Sequence, residues 1–367
     1  MTPLGAEIRE LIAAQGPIPV SRYMALCLGH PRYGYYMTRD PIGLSGDFVT
    51  APEISQMFGE LVGLWAAQTW IDLGSPSPFA LVELGPGRGT LMADALRAAK
   101  VAPGFLEAAA VHLVETSPVL RERQRAALAS PPPALAGGVH WHARLDDVPD
   151  RPLIALANEF FDALPVRQMV RDRGAWRERL VGLDAGGALG FGLAPDADPS
   201  VSWEAPEGAV LEIAAAGTAV MRALAGRIVA AGGAALAIDY GHARTGFADT
   251  LQAIRRHAFA DPLVDPGEAD VTAHVDFAQL ATAAGAAGAR VFGPVTQGAF
   301  LRALGIEARA RALAARASAT QSEEIGAALV RLTGERDADM GVLFKALAVA
   351  HPRLTACAGF IRDEEPC

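Results

Sequence analysis

The chain has 367 residues, 51% of them hydrophobic and 20% charged, which is typical of a globular protein of two or three domains. A net charge of −9 argues against a broad nucleic-acid surface, because binding phosphates requires clustered Lys and Arg. Three cysteines without a C-x-x-C spacing argue against a zinc or redox motif, and the lack of a long uncharged apolar run argues against a transmembrane helix.

The N-terminal segment, residues 1–52, predicts helices followed by a lid. A short helix comes first, and a second is expected around residues 20–28. An aromatic loop follows with Tyr33, Tyr35 and Tyr36, and such a loop could close over a ligand. The first residues match neither a signal peptide nor an Arg-rich transit peptide, and free thiols suit a reducing compartment, so the sequence predicts a cytoplasmic protein.

Strands alternating with helices make up the next part of the chain. Residues 53–73 have apolar positions at helical spacing. The apolar runs FALVEL, AVHLV, VHWHA, LIALAN and GAALAIDYGH predict five strands, with helical stretches after the first two. Strands separated by helices predict an α/β fold with a parallel sheet and right-handed crossovers.

The alternation breaks between the fourth and fifth strands. Residues 166–210 are typical of short strands and turns, helices are expected around 211–231 and 275–284, and residues 304–350 are Ala-rich and helical. We therefore divide the chain into an N-terminal helical and lid segment (1–52), a core (53–165 and 232–303), an inserted cap (166–231) and a C-terminal helical region (304–367).

A glycine-rich turn joins the first core strand to a helix in the run VELGPGRGT, which contains Glu83, Gly85, Pro86, Gly87 and Gly89. The run resembles both the G-x-G-x-x-G turn that binds dinucleotides and the G-x-G-x-G loop of S-adenosylmethionine enzymes. The spacing favours the second, because the third glycine comes one position too early for a dinucleotide. Glu83 would also disfavour a pyrophosphate at the helix N-terminus, whereas it suits the amino group and sulfonium of adenosylmethionine. A tight turn without a ligand is the alternative.

Three more residues are candidates for contact with the cofactor. Glu115 ends the second strand, where a carboxylate can accept both ribose hydroxyls. Asp146 follows the third strand and could meet an adenine amino group, and Thr50 precedes the long helix. Alternatively, Glu115 is a helix N-terminal charge and Asp146 is a solvated or capping residue.

Polar residues after the fourth and fifth strands are candidates for catalysis. Asn158, Glu159 and Asp162 follow the fourth strand, and Asp239 and His242 end the fifth. Ligands bind at the carboxyl edge of such sheets, where carboxylates could hold and deprotonate a cationic acceptor and a histidine could shuttle a proton. Alternatively, Asp162 caps a helix, Glu159 pairs with an arginine and His242 has no role.

Five motifs together resemble the MidA-like methyltransferases: GHPRYGYYMTRDPIGLSGDFVTAPEISQMFGE, VELGPGRGTL, NEFFDALPV, IDYGH and HAFADPLVDPGEADVTAHVDF. These motifs are long and spread over most of the chain. The resemblance implies a Rossmann-like class I methyltransferase sheet and S-adenosyl-L-methionine as cofactor. It also implies that Glu83, Gly85, Gly87 and Gly89 form the cofactor loop and that Glu115 binds the ribose.

The family includes a mitochondrial complex I assembly factor, so the resemblance implies methylation of a protein arginine on a respiratory complex I subunit during assembly. Two other functions stay open: a small-molecule methyltransferase, and a cofactor-binding assembly factor without catalysis. We expect a protein substrate, no nucleic acid and no membrane span, and we consider a homodimer. His140 and His142 share one side of a strand without a third ligand nearby, so we expect no metal.

Overall fold

The computed structural model describes residues 1–43 and 46–360, so Cys367 and the end of the predicted C-terminal region lie outside the described residues. The strands are β1 (Ile18–Pro19), β2 (Phe79–Leu84), β3 (Ala109–Val114), β4 (Val139–His142), β5 (Leu153–Asn158), β6 (Arg167–Asp172), β7 (Ala175–Leu183), β8 (Leu189–Leu193), β9 (Val210–Ile213), β10 (Gly233–His242), β11 (Gln252–Arg255), β12 (Ala258–Ala260), β13 (Asp270–Thr272), β14 (Val275–Asp276), β15 (Arg290–Thr296) and β16 (Phe344–Ala350).

The helices are α1 (Pro3–Gln15), α2 (Val20–Gly29), α3 (Tyr35–Thr38), α4 (Ala51–Ile54), α5 (Gln56–Asp72), α6 (Thr90–Ala99), α7 (Phe105–Ala108), α8 (Pro118–Ala127), α9 (Ala215–Ala231), α10 (Phe277–Ala286), α11 (Gln297–Ala303), α12 (Ile306–Ala314), α13 (Ala319–Thr333) and α14 (Met340–Leu343). Across residues 1–43 and 46–360, none of the helices is both long enough and apolar enough to cross a membrane.

Capping side chains fix where several helices begin. Thr2, Ser55 and Ser117 each accept a hydrogen bond from a backbone N–H in the first turn of α1, α5 and α8. Ser55 has extended backbone and separates α4 from α5, so the single helix expected for residues 53–73 is two helices.

The central sheet has the strand order β15-β16-β10-β5-β2-β3-β4, with β14 paired to β10. The strands β10, β5, β2, β3 and β4 are parallel, whereas β16 is antiparallel to both of its neighbours. From β2 the chain adds β3 and β4 on one side and then β5 and β10 on the other. This reversal is the switch point where α/β sheets open a ligand crevice, and the order confirms the predicted Rossmann-like α/β sheet.

Alternation along the strands places apolar side chains on both faces of this sheet. Leu81 and Ile154 belong to one buried cluster, which packs against α5, α6 and the helices α11 to α13. Val82 and Ala155 belong to a second cluster, which packs against α9 and α10. Burying one Leu, Ile or Val side chain fully stabilises the folded state by about 1.5–3 kcal/mol. The two packed layers therefore hold the sheet, and with it the carboxyl ends of its strands, in place.

Two smaller sheets stand beside the central one. Strands β6 to β9 form an antiparallel sheet with β1 from the N-terminal segment, and this sheet lies in the region expected to be a cap. Strands β12, β11 and β13 form a three-stranded sheet between β10 and α10 along the chain. The N-terminal helices α1 and α2 share a buried apolar cluster with residues of both small sheets.

The structure differs from the predicted elements at two places. Residues 210–213 form β9 rather than the start of a helix, and α9 packs on the central sheet with β5 and β10. Residues 344–350, expected to be helical, form β16 inside the central sheet. The division into four regions remains a prediction, but α9 and β16 both belong to the packing of the central sheet.

Candidate functional site

A cavity of about 810 Å³ opens where the strand order reverses, a volume suited to a small-molecule ligand. Most of the predicted site residues line it together: Thr50, Glu83, Gly85, Pro86, Gly87, Glu115, Asn158, Glu159 and Asp162. Gly89 caps the N-terminus of α6 directly behind the loop. Residues from four separate stretches of the chain therefore meet at one cavity.

The glycine loop approaches its neighbours too closely for larger side chains. Gly85 and Gly87 have φ of 61° and 53°, in the left-handed region that favours glycine. A Cβ atom on Gly85 would lie 2.9 Å from Phe160 Cδ2, and one on Gly87 would lie 2.8 Å from Ile42 Cδ1. The loop therefore keeps its backbone at the cavity wall, where a ligand can contact it directly.

Two carboxylates stand side by side next to this loop. Glu83 is 2% exposed, and its Oε2 atom has no hydrogen-bond partner among the described residues. Burial raises the pKa of Glu83 well above its usual range, and the neighbouring Glu115 raises it further. Since an unpaired buried carboxylate is costly, Glu83 is suited to a cationic group of a ligand.

Glu115 is held more firmly than Glu83. Its Oε1 accepts a hydrogen bond from the Ser117 N–H at 2.7 Å, and its Oε2 accepts one from Gln124 Nε2 at 3.2 Å. Gln124 also donates to the carbonyl of Gly87 at 2.9 Å, which ties the carboxylate to the glycine loop. Burial raises the pKa of Glu115 as well. A fixed carboxylate at this position is suited to accepting ligand hydroxyls.

Part of the N-terminal segment that the sequence predicts to be a lid, together with Glu53 directly after it, lines the cavity. Glu53 accepts a hydrogen bond from the Thr90 hydroxyl at the start of α6 and lies 3.5 Å from Arg88 Nη1. Thr50 lines the cavity just before α4. Tyr35 and Tyr36 both lie in α3, and Tyr36 also lines the cavity.

The turn after β5 forms an acidic wall of the cavity. Glu159 has a φ of 50°, which is unusual for a residue other than glycine, and its Oε1 accepts hydrogen bonds from Ala51 N at 2.9 Å and Asn158 Nδ2 at 3.0 Å. Burial raises the pKa of Glu159 to about 7 and that of Asp162 to about 6. Asn158 Oδ1 and Asp162 Oδ1 are buried acceptors without a partner among the described residues. This wall therefore offers free acceptors and two carboxyl groups that titrate near neutrality.

Asp239 does not line the cavity but supports this turn from behind. It is fully buried, and its Oδ2 accepts hydrogen bonds from the backbone N–H groups of Phe160, Phe161 and Asp162 at 3.1, 2.9 and 3.2 Å. Its Oδ1 accepts a further bond from the Tyr240 N–H at 2.9 Å. The geometry is that of a positioning residue rather than of the catalytic group expected from the sequence.

His242 and Asp146 lie away from the cavity, so this geometry does not support the roles expected for them. His242 Nε2 lies 3.6 Å from Asp276 Oδ2, and neither side chain lines the cavity. Asp146 sits in a 3-10 turn, is exposed, and lies 3.3 Å from Arg144 Nη2. The turn after β4 points Asp146 to solvent, which the spacing of the sequence could not reveal.

A third histidine lies beside the pair expected to share one side of β4. His112 Nδ1 is 2.9 Å from His142 Nε2, and its ring stacks on that of His140. In the part of the chain that the structure describes, no group of three or more His, Cys, Asp or Glu side chains is arranged to hold a metal ion.

Sequence reasoning missed several residues of the cavity. Asp270 on β13 and Arg331 on α13 line it, although both are distant in sequence from the strand ends used for prediction. Asp270 lies in the motif HAFADPLVDPGEADVTAHVDF, for which the sequence indicates no role at the site.

Residues 61–295 match the sequence profile of a family described as S-adenosyl-L-methionine-dependent methyltransferases. The chain is 40% identical to the mitochondrial protein arginine methyltransferase NDUFAF7 homolog of Drosophila melanogaster, over 94% of this chain and 84% of that protein. It is 38% identical to mitochondrial NDUFAF7 of Homo sapiens, over 85% of this chain and 76% of that protein. A solved Burkholderia thailandensis protein bound to S-adenosyl-homocysteine is also similar, with a TM-score of 0.83 and 33% identity over 98% of this chain and 94% of that chain.

These relatives contradict the predicted cytoplasmic location, because the NDUFAF7 proteins of Drosophila melanogaster and Homo sapiens are both named as mitochondrial. The prediction was wrong because it relied on the composition of a short N-terminal stretch, which is a weak guide to the compartment in which a protein works.

Proposed function

We propose, from the premise that the chain belongs to this family of S-adenosyl-L-methionine-dependent methyltransferases, that it methylates an arginine side chain of a protein. One observation carries the proposal. The cavity joins the glycine loop to an acidic wall in which Asn158 Oδ1 and Asp162 Oδ1 have no partner. Such a wall is suited to the N–H groups of a cationic guanidinium, which presents five donors and no acceptor.

The residues at the glycine loop fit the cofactor. Glu83 Oε2, which has no partner among the described residues, would accept a hydrogen bond from the amino group of S-adenosyl-L-methionine. Glu115 would accept hydrogen bonds from its ribose hydroxyls. Thr50, Pro86 and the glycines would contact it from the remaining sides. When bound, the cofactor supplies an electrophilic methyl group on a sulfonium.

The acidic wall would prepare the acceptor. A guanidinium has a pKa of about 12.5–13.8 and must lose a proton as it becomes a nucleophile. Glu159, whose pKa is raised to about 7, would take that proton, while Asn158 and Asp162 orient the planar group. Asp239 would act indirectly, by holding the backbone of the turn that carries these side chains.

For the acceptor protein we infer a subunit of respiratory complex I, which rests on the resemblance to the MidA-like family. Two relatives named as protein arginine methyltransferases support arginine as the methylated residue. A homodimer, considered from the sequence, stays a prediction that light scattering of the purified protein would test.

The test is methyl transfer to purified soluble complex I subunits. We expect labelled S-adenosyl-L-methionine to transfer its methyl group to one arginine, located by mass spectrometry of the digested acceptor. Transfer to another residue type, or none to any subunit while the protein binds S-adenosyl-homocysteine, would contradict the proposal.

Matched variants separate catalysis from scaffolding. Glu159→Gln and Asp162→Asn keep the shape of each side chain and remove its charge, so transfer should fall by at least about a hundredfold if these groups act as base and clamp. The affinity for S-adenosyl-homocysteine, measured by calorimetry, should change little in both variants. Unchanged transfer in both would mean that these groups are neither base nor clamp, whereas complex I assembly that persists in both variants without transfer would favour an assembly factor without catalysis.

A further inference from the structure

Asp270 lines the cavity from the short strand β13, outside the central sheet. It is 6% exposed, and its Oδ1 accepts a hydrogen bond from the hydroxyl of Tyr36 at 2.8 Å. Tyr36 also lines the cavity, although it lies 234 residues earlier in the chain. A buried carboxylate whose orientation is fixed by a tyrosine therefore faces the same space as the acidic wall after β5.

Asp270 and Asp162 form a pair of like charges in this space. Burial raises the pKa of Asp270 well above its usual range, and Asp162 contributes the largest further increase. Asp162 Oδ1 has no hydrogen-bond partner, and neither carboxylate is in an ion pair among the described residues. Two arginines line the cavity: Arg88 is paired with Asp40 and Glu53, and Arg331 lies close enough to Glu159 to lower its pKa. Neither forms an ion pair with Asp270 or Asp162 among the described residues, so these two carboxyl groups favour the neutral form in the free protein and are suited to ionising against a cation that a ligand brings.

Tyr36 also connects this pair to the cofactor side of the cavity. Its carbonyl oxygen accepts a hydrogen bond from the Ser117 hydroxyl at 2.6 Å. The Ser117 N–H in turn donates to Glu115 Oε1 at 2.7 Å. Ser117 and Tyr36 therefore link Glu115 to Asp270 through three hydrogen bonds, which are joined by the covalent bonds within these two residues.

We propose that Asp270 and Asp162 together clamp the guanidinium of the acceptor, and that Tyr36 orients Asp270 and couples this clamp to the occupied cofactor pocket. This inference rests on the proposed function and names residues for its acceptor site. Two carboxylates can accept four or more N–H donors of one guanidinium, and such charge-assisted bonds are about twice as strong as neutral ones. Because Tyr36 shares Ser117 with Glu115, cofactor binding should favour the geometry that binds the guanidinium.

The probe is ethylguanidinium, titrated by calorimetry into the wild-type protein saturated with S-adenosyl-homocysteine, with uncharged N-ethylurea as the matched control. We expect the wild type to bind ethylguanidinium and not N-ethylurea. Asp270→Asn and Asp162→Asn should each weaken binding by about tenfold or more, because each keeps its shape and loses its charge. Asp196→Asn, at an exposed position outside the cavity, should bind as the wild type does.

Tyr36→Phe tests the coupling, because it removes only the hydroxyl. In the wild type, S-adenosyl-homocysteine should strengthen ethylguanidinium binding, and ethylguanidinium should strengthen S-adenosyl-homocysteine binding by the same factor. This factor should approach one in Tyr36→Phe. The affinity of each variant for S-adenosyl-homocysteine alone confirms that it is folded.

Proton release on binding is a second measurement, and it would not change if Asp270 had only a structural role. Burial, followed by the carboxyl groups of Asp162, Asp47 and Glu159, keeps the pKa of Asp270 high in the free protein, while the hydrogen bond from Tyr36 lowers it. The hydroxyls of Tyr35 and Tyr240 also lie close enough to interact with Asp270. A bound cation favours ionisation, so ethylguanidinium should release protons, and its binding heat should depend on the ionisation enthalpy of the buffer. Asp270→Asn should reduce that dependence.

The outcomes separate this inference from the proposed function. Ethylguanidinium binding that is absent in the wild type, or equally strong in Asp270→Asn and Asp162→Asn, would overturn the clamp even if protein arginine were methylated. Binding that follows the expected pattern would support the clamp, and failure of methyl transfer in the same preparation would count against the proposed function alone.

Discussion

Glu159 Oε1 accepts a hydrogen bond from the backbone N–H of Ala51 at 2.9 Å, and this bond joins the start of α4 to the turn after β5. The same oxygen accepts a bond from Asn158 Nδ2 at 3.0 Å. The segment that closes the cavity and the residue that we propose as the base therefore share one contact. Any change in the ionisation of Glu159 acts on both.

Glu159 makes the stability of the folded protein dependent on pH. Its pKa is raised by burial from 4.5 to about 7, so between these values the folded chain retains a proton that the unfolded chain has lost. The free energy of unfolding should therefore fall as pH rises through this window, by up to about 3 kcal/mol at 1.4 kcal/mol per pKa unit. Glu159→Gln cannot titrate and should lose less stability over the same range.

Urea unfolding of both proteins at about pH 5 and about pH 8 measures this difference. Asp162, Asp239 and Asp270 also have raised pKa values, so Glu159→Gln should keep part of the pH dependence, and the difference between the two proteins measures Glu159 together with its effect on these neighbours. Methyl transfer by the wild type should rise as pH passes about 7, because only the ionised carboxylate can accept a proton. Equal pH dependence of stability in both proteins would contradict the assignment.

Asp239→Asn should impair transfer more than it impairs cofactor binding. The carboxylate accepts backbone N–H groups at both oxygens, three at Oδ2 and that of Tyr240 at Oδ1, whereas an amide must place its NH2 donor against one of these sets. We expect a loss of about 2–3 kcal/mol in the free energy of unfolding and a lower kcat, with S-adenosyl-homocysteine affinity nearly unchanged. Asp150→Asn, at a 95% exposed side chain, is the control. An unaltered kcat in Asp239→Asn would show that the turn keeps its form without this support.

The central sheet was largely predictable because its signals are local. The bounds expected for β10 are those observed, and the glycine loop follows β2 directly, so a strand, a turn and a helix are read within one short stretch. β16 was missed because the run FKALAVA is apolar on both faces and rich in alanine, so neither alternation nor β-branched residues distinguish it from a buried helix.

The two walls of the cavity also differ in how well the sequence predicts them. Glu83 lies near the end of β2 and Glu115 directly follows the neighbouring strand β3, so the rule that ligands bind at the carboxyl edge located them. Asp270 faces the cavity only because β13 packs beside β11 and α2, and its contact with Tyr36 joins residues 234 positions apart. The spacing of residues in the sequence does not indicate this contact, because the contact depends on how distant elements of the fold pack together.

Asp146→Ala should leave the affinity for S-adenosyl-homocysteine within about 0.5 kcal/mol of the wild type, as is usual for an exposed surface change. The reason is position: the side chain is 71% exposed, lies beside Arg144 and does not line the cavity. Calorimetric titration checks this. A tenfold loss would mean that the turn after β4 moves onto the ligand when it binds.

Glu83 and Glu115 should be distinguished by a ligand that lacks the amino acid part of the cofactor. Glu83→Gln removes the charge next to the proposed amino group, so S-adenosyl-homocysteine should bind about tenfold or more weakly, whereas 5′-methylthioadenosine should bind with unchanged affinity. Glu115→Gln should weaken both ligands, because both carry the ribose hydroxyls that we assign to Glu115. Calorimetry with the two ligands and the two variants gives four comparisons. Equal effects of Glu83→Gln on both ligands would mean that Glu83 contacts a part of the cofactor other than its amino group.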